Sequence, residues 1–488
     1  MDATKMKRGL FGMKRLEVMD RVDADAIHLN SLYLLENMGI KVVSEEGRRL
    51  LAEAGAEVDE RTQVAKIPGY LVDESLRRCK RPVKMCAPNP KNDFVLDGRH
   101  CHTCTDGVGL STIDLETGER RGSTLKDVAD SAKIVDYLPM MNMYNPLVTP
   151  LEVPKHAHTV HEYLAALQNC EKHFTTGSTY MKEEAVYELK MAAEVVGGED
   201  ELRKRPIISN LTCTTSPMVL GMTTDAAIEF VRAGCPPLMM AMPLIGATAP
   251  MTVAGAALLG NAQVLGLTTV LQLAEPGAPL CYSTEPMAMD VQSGLFEGLF
   301  PAANMVRAAH VQMAKYYDIP IFVGGWGSCS KLPDAQAGYE KAFSAFIAYL
   351  SGADITSGPG LLENWTVLSF EQLIIDHEMF TMMADMLKGF PVNDDTMPLD
   401  VIMEVGHEGH YMGKKHTLDH FREMWQPMVT DGQPYKTWKA AGAKSAADNA
   451  REKAKEILRT HTVEGPPADV MERLRGIVAE AEKNLPHK

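Results

Sequence analysis

Basic side chains are in deficit: 49 Lys and Arg stand against 64 Asp and Glu, a net charge of −15 over 488 residues. Neutralising phosphates needs basic patches, so this balance argues against nucleic acid as a ligand and against an anionic membrane surface. A cationic substrate remains compatible with it. The opening MDATKMKRGLFGMKRLEV lacks the apolar stretch of a secretory signal, so the nine cysteines are expected to be reduced thiols in the cytoplasm. Cys101 and Cys104 form one isolated CxxC, and no second pair follows at a spacing that completes a zinc site.

Nucleotide, hydrolase and metalloprotease signatures are missing too. Gly107 and Gly109 lack the third glycine of a dinucleotide loop, and after Gly358 and Gly360 that place is taken by Glu363. The stretch from Gly324 to Lys331 lacks the Gly-Lys-Ser/Thr ending of a phosphate loop. No G-x-S-x-G elbow occurs. Cys329 has no histidine partner that sequence can assign. GHEGHYMGKKHT spaces His407, His410 and His416 with glycines that break the helix a zinc-binding HExxH requires. No bound metal is expected.

What is present begins with a run from Ala233 to Ala274 without one charged residue, long enough to span a bilayer. Pro236, Pro237, Pro243 and Pro250 divide it. It reads as a doubly buried strand over Pro237–Met242 and a helix over about Thr252–Ala274, because parallel strands covered on both faces are apolar throughout. The same alternation runs from 105 to 390. Strands are predicted to end near Thr112, Pro146, Gly177, Cys213, Met242, Thr284, Gly324 and Ser357. Helices are predicted over Leu125–Tyr137, His158–Asn169, Lys182–Val196, Thr224–Ala233, Thr252–Ala274, Ala302–Tyr317, Asp334–Leu350 and Phe370–Leu387. Eight such units predict an α/β fold, a (β/α)8 TIM barrel. Residues 1–104 would form an N-terminal helical and β-hairpin extension, and 391–488 a C-terminal loop and helical tail packed on the barrel.

Tryptophan is scarce, with four in the chain, yet one sits in PIFVGGWGSCSK between glycines. In a barrel the active site lies in the loops after the strands. Trp326 follows the seventh strand and Trp365 the eighth, so both are expected at the mouth, with Tyr282 and Tyr144 near other strand ends and Glu285, Glu363 and Asn364 on the rim. Aromatic faces attract cations, and two on adjacent loops would wall a quaternary ammonium. Equally, the rings could simply fill the mouth. His410 could donate a hydrogen bond at the pocket, or belong to a loop folded back on the barrel.

The segments TGERRGSTLKDVADSAKIVDYLP, LIGATAPMTVAGAALLGNAQVLG, LQLAEPGAPLCY, KLPDAQAGYEKA, LSFEQLIIDHE and EVGHEGHYMGKKHT together resemble the trimethylamine methyltransferase (MttB) superfamily. The resemblance covers most of the chain. It implies a (β/α)8 barrel without zinc that moves a methyl group from an amine to the Co(I) of a cobalamin on a separate corrinoid protein. The founding enzyme carries pyrrolysine in its barrel, whereas only the twenty standard residues occur here. The chain is therefore similar to the non-pyrrolysine branch, whose substrates are quaternary amines such as glycine betaine, proline betaine, carnitine and γ-butyrobetaine. On that reading the aromatics cage the ammonium, and His410 or Asn364 holds a substrate carboxylate. Self-association is expected, as barrels of this size often associate. A barrel lyase or aldolase is the rival enzyme, but Lys331, the nearby lysine, sits far into its loop. A non-catalytic binding or assembly protein is the rival from another class.

Overall fold

The alternation closes on itself. The computed structural model describes residues 15–486 apart from Lys80, Ser178 and Leu299. The first fourteen residues, which include most of the stretch read for a secretory signal, lie outside it. Among the described residues, eight parallel strands form a closed barrel: β1 (His102–Cys104), β2 (Met141–Tyr144), β3 (His173–Thr176), β4 (Ile208–Cys213), β5 (Pro237–Ala241), β6 (Cys281–Thr284), β7 (Ile321–Gly324) and β8 (Ile355–Ser357). The main helices between and after them are α1 (Leu125–Tyr137), α2 (His158–Asn169), α3 (Lys182–Val196), α4 (Thr223–Arg232), α5 (Val253–Ala274), α6 (Pro301–Tyr316), α7 (Ala335–Ser351) and α8 (Phe370–Leu387). Local chemistry starts them where the pattern predicts. Thr124 caps α1 in a reciprocal box with Asp127, and Asp334 accepts from the Ala337 amide at the start of α7.

One strand differs from expectation. The run ending near Thr112 is not a stave. Ser111–Ile113 pairs with Arg120–Gly122 in a hairpin whose turn includes Gly118 at φ 74°, and with Val367–Leu368 in a side sheet. The first stave is instead β1, about ten residues earlier.

Side chains alternate across each stave. Cys104, Met143, Leu211, Met240, Cys281, Phe322 and Ile355 pack together inside, against Val83, Met85 and Leu96 of a hairpin that plugs the N-terminal end. The uncharged α5 is long and apolar enough to cross a membrane. Here it is a barrel helix, mostly buried and covered by the N-terminal helices Arg21–Tyr33 and Gly69–Arg78. Cys101 and Cys104 face opposite sides of β1, Cys101 toward the outer layer and Cys104 into the barrel, so the pair cannot share one ion. Among the C-terminal helices, Ala446–Thr460 packs on α8 and α1, and Ala468–Asn484 on α3 and α2.

Candidate active site at the barrel mouth

Continuing the inward alternation past the strand ends brings Asp106, Asn145, Cys213, Glu285, Gly324 and Ser357 to the C-terminal rim. Their contacts agree with that placement. Ser357 Oγ donates to Asp106 Oδ2 at 3.1 Å, and Asn145 Nδ2 to Asp106 Oδ1 at 3.3 Å. Glu285 Oε1 accepts from Arg307 Nη2 at 2.6 Å. Its other oxygen, Oε2, is buried and has no hydrogen-bond partner among the described residues. A buried carboxylate oxygen left unpaired is costly unless something fills the site.

Two features hold that oxygen in place. Arg307 on α6 is fully buried and spends its guanidinium on the carbonyls of Gly324, Gly298 and Pro286, on Asn304 Oδ1 and on Glu285. At Gly324 there is no side chain, and a Cβ there would lie 1.0 Å from Glu285 Oε2. The carboxylate therefore occupies the space a side chain at 324 would need. We predict that Gly324→Ala, whose backbone conformation alanine adopts freely, displaces the carboxylate and lowers kcat/KM about tenfold. Steady-state kinetics beside thermal unfolding checks it; unchanged kinetics in a folded variant would detach Glu285 from the site.

Burial raises both carboxyl groups. Glu285 is pushed up to about 7, against the opposing pull of Arg307, with Asp106 adding to the rise. Burial likewise pushes Asp106 up to about 6, partly offset by the Ser357 hydroxyl. Burial, then the negative charges of Asp106 and Glu285, lift the Cys213 thiol to about 12, which keeps it neutral. The mouth is thus an acidic, partly dry bowl suited to a cation.

Trp365 lies across it. The indole is 7% exposed, Nε1 lacks a hydrogen-bond partner among the described residues, and Cη2 would stand 2.4 and 2.6 Å from Cβ atoms built at Gly298 and Gly327. The β6, β7 and β8 loops meet under this ring. Glu363, Asn364 and Trp365 all have positive φ (47°, 51° and 65°), a strained left-handed turn for non-glycine residues. Backbone bonds hold it, from Glu363 N–H to the Ser330 carbonyl and Asn364 N–H to the Ser328 carbonyl. Beneath, the buried Lys341 ammonium of α7 donates to the carbonyls of Trp326 and Gly358 and to Asp376 Oδ2 of α8, which also accepts from Gly360 N–H.

The other expected site residues go elsewhere. Trp326 is fully buried, donates from Nε1 to Thr356 Oγ1 at 3.1 Å and packs near Phe380 of α8. It lies between barrel and helices, not at the mouth: the glycines beside it let the chain turn back rather than display the ring. Tyr144 and Tyr282 also point outward, their neighbours Met143 and Cys281 occupying the interior. Tyr144 donates to the Val128 carbonyl of α1 and Tyr282 to Asn261 of α5. Asn364 spends its amide on the Phe296 carbonyl and the Cys329 thiol, and Glu363 pairs with Arg120. His410 is exposed after helix Leu399–Val405 and makes no hydrogen bond to any described residue of the mouth. Sequence reasoning placed Glu285 on the rim but passed over Asp106, Asn145, Arg307 and the Lys341–Asp376 pair. Asp106 follows β1 by two residues, so it becomes legible once β1 is placed correctly.

The trimethylamine methyltransferase (MTTB) family matches residues 3–486. The chain is similar to trimethylamine methyltransferase MttB of Desulfitobacterium hafniense (strain DSM 10664 / DCB-2), 36% identical over 458 residues, 94% of this chain and 92% of the relative. It is also similar to MttB of Methanosarcina barkeri (strain Fusaro / DSM 804), 32% identical over 463 residues and 94% of each chain. A glycine betaine methyltransferase of Desulfitobacterium hafniense (strain Y51) is 27% identical over 477 residues, 97% of this chain and 98% of the relative. Among solved structures, the monomethylamine methyltransferase MtmB of Methanosarcina barkeri superimposes with a TM-score of 0.56 at 11% identity, covering 100% of this chain and 93% of that one, a likeness of fold.

Proposed function

The chain belongs to the trimethylamine methyltransferase family and is a methyltransferase, and from that premise we propose that it takes a methyl group from a small quaternary amine of the betaine or carnitine kind and passes it to the Co(I) of a cobalamin on a partner corrinoid protein. The observation that carries the cationic substrate is the unpaired, buried Oε2 of Glu285 beside Asp106. Carboxylates suit a positive nitrogen, and so does an aromatic ring that turns its face to it. Co(I) would supply the nucleophile. A quaternary nitrogen already bears its charge, so the departing tertiary amine needs no proton and no general acid is required of this chain. What the chain must do is hold the cation in line and exclude water, which is catalysis by orientation. Trp365 supports that role by covering one side of the bowl.

A second reading, trimethylamine itself, is favoured by the 36% and 32% identical relatives named for that substrate, against 27% for the betaine enzyme. One panel separates the two: betaines, carnitine, choline and trimethylamine offered with a Co(I) corrinoid protein, followed by cobalamin absorbance. Turnover of trimethylamine alone would favour the second reading, and turnover of none would end both.

The raised carboxyl groups set a pH dependence. Glu285 attracts a cation only when ionised. Affinity should therefore rise about tenfold from pH 6 to pH 8 as a group near 7 loses its proton. Stability moves the other way. The folded carboxyl holds its proton to higher pH than the unfolded one, so its contribution is lost as pH climbs from the ordinary carboxylate range through about 7. Calorimetric titration across that range checks the binding limb; a flat profile would show that the cation does not meet Glu285.

A further inference from the structure

Between α2, α3 and the end of β3 lies a set of buried oxygens that methyl transfer does not use. Glu162 on α2 and Glu188 on α3 are 3% and 0% exposed. Thr179 Oγ1 stands 2.8 Å from both carboxyl oxygens of Glu188, and Thr176 Oγ1 stands 3.3 Å from Oε1. Three more buried oxygens, Thr159 Oγ1, Glu162 Oε1 and Tyr163 Oη, have no hydrogen-bond partner among the described residues. Thr159, Glu162 and Tyr163 share one face of α2, spaced i, i+3 and i+4. That face looks toward α3. The Glu188 charge bears on the Glu162 carboxyl and on the Tyr163 phenol, and the Thr159 hydroxyl bears on Glu188 from outside hydrogen-bond geometry.

As it stands the cluster is costly, because buried polar atoms lose water without gaining partners. No Lys, Arg or His is among the groups that chiefly shift either carboxyl. Burial pushes Glu188 up to about 8 and Glu162 well above the usual carboxylate range, each raised further by a neighbouring carboxyl. Protons alone do not resolve the cluster. A protonated carboxyl is a donor in need of an acceptor, and the Thr159 and Tyr163 hydroxyls are donors already in the same need. A positive ion held by oxygen lone pairs answers both demands, charge and coordination. The donors are all oxygen, which selects a hard cation over zinc or iron. No three His, Cys, Asp or Glu gather at one point among the described residues. Calcium takes about six to eight oxygens, several of them carboxylate, and magnesium keeps several waters. Two carboxyls among hydroxyls suit a singly charged ion better.

We propose that Thr159, Glu162 and Tyr163 of α2, Glu188 of α3 and the Thr176 and Thr179 hydroxyls bind an alkali cation, potassium or sodium, stripped of its water. The ion would brace the loop after β3, whose Tyr180 and Met181 amides already donate to Glu184, one turn before Glu188. The test is thermal unfolding of the full chain, dialysed into Tris chloride and then titrated with potassium, sodium, magnesium or calcium chloride at constant ionic strength. In wild type an alkali ion should raise Tm along a saturating curve, by about 2–3 °C at ~100 times its dissociation constant. The alkali ion with the lower half-saturation names the occupant. Tyr163→Phe removes one oxygen and keeps the ring stacked on Phe174, and Glu162→Gln removes one charge. Each should raise the half-saturating concentration about tenfold or more. The proposal falls if Tris chloride protects wild type as well as potassium and sodium do, which would give these oxygens to water. It falls if magnesium or calcium protects better than either alkali ion. It also falls if both variants keep the wild-type response, which would put the ion elsewhere. Should Glu162→Gln not fold, Tyr163→Phe decides alone.

Discussion

Glu285→Gln is expected to lower kcat/KM about 100-fold, if the substrate is the cation proposed, while the barrel stays folded. Two unit charges 4 Å apart attract by about 4 kcal/mol at an effective dielectric near 20. Part of that is returned by desolvating the cation, which leaves roughly 2–3 kcal/mol, or 30- to 150-fold. The substitution also leaves the Arg307 guanidinium without its countercharge, next to where a second cation must sit. Gln keeps an oxygen for the Nη2 hydrogen bond, and four other acceptors still hold Arg307. The fold should therefore hold, with some stability lost to the uncompensated buried guanidinium. The informative readout is the dissociation constant, because an electrostatic anchor acts on bound substrate as well as on the transition state. A folded Gln variant that binds and turns over like wild type would remove the carboxylate from cation recognition and leave Trp365 as the remaining candidate.

Helices were more legible than staves, for physical reasons. Phe370–Leu387 and Leu125–Tyr137 announce themselves through cap residues, Ser369 and Thr124, ahead of long runs free of proline and glycine. β1 is three residues long. Beside it, STIDLETGERRG offers a plain turn and alternating residues, so the side hairpin outcompetes the true stave by sequence alone. Parity misled next. Tyr144 and Tyr282 sit one residue from inward-facing Met143 and Cys281, and a shift of one along a strand changes the face. With Cys281 fixed as inward, Glu285 four residues on, already expected on the rim, is seen to point into the mouth. Trp326 was misread because glycine signals either exposure or close approach. Here it is close approach: a Cβ on Gly325 would meet Thr356 Oγ1 at 2.9 Å. Arg307, Lys341 and Asp376 had no local signal at all, since their partners lie on other helices and loops.

That last pair should give the largest stability effect of any single residue near the site. Lys341 and Asp376 are both fully buried, 2.9 Å apart. Burial opposes the charged form of each, lowering the lysine and raising the aspartate, and each charge offsets the cost of the other. Removing one partner strands the other. Lys341→Met is thus expected to cost about 3–5 kcal/mol of unfolding free energy and to leave the carbonyls of Trp326 and Gly358 without their donor. The double variant Lys341→Met with Asp376→Leu removes both charges at similar volume, and stability should largely return. Binding should not. The pair ties the β7 loop to the β8 loop, and Gly360 N–H loses its acceptor when Asp376 goes, so the left-handed turn that carries Trp365 over the bowl loses its support. Denaturant unfolding and substrate titration on wild type, single and double variants separate the two roles. A double variant that regains stability and full affinity together would show that the pair serves the barrel alone; one that regains stability while affinity stays low would make it the brace of the substrate site.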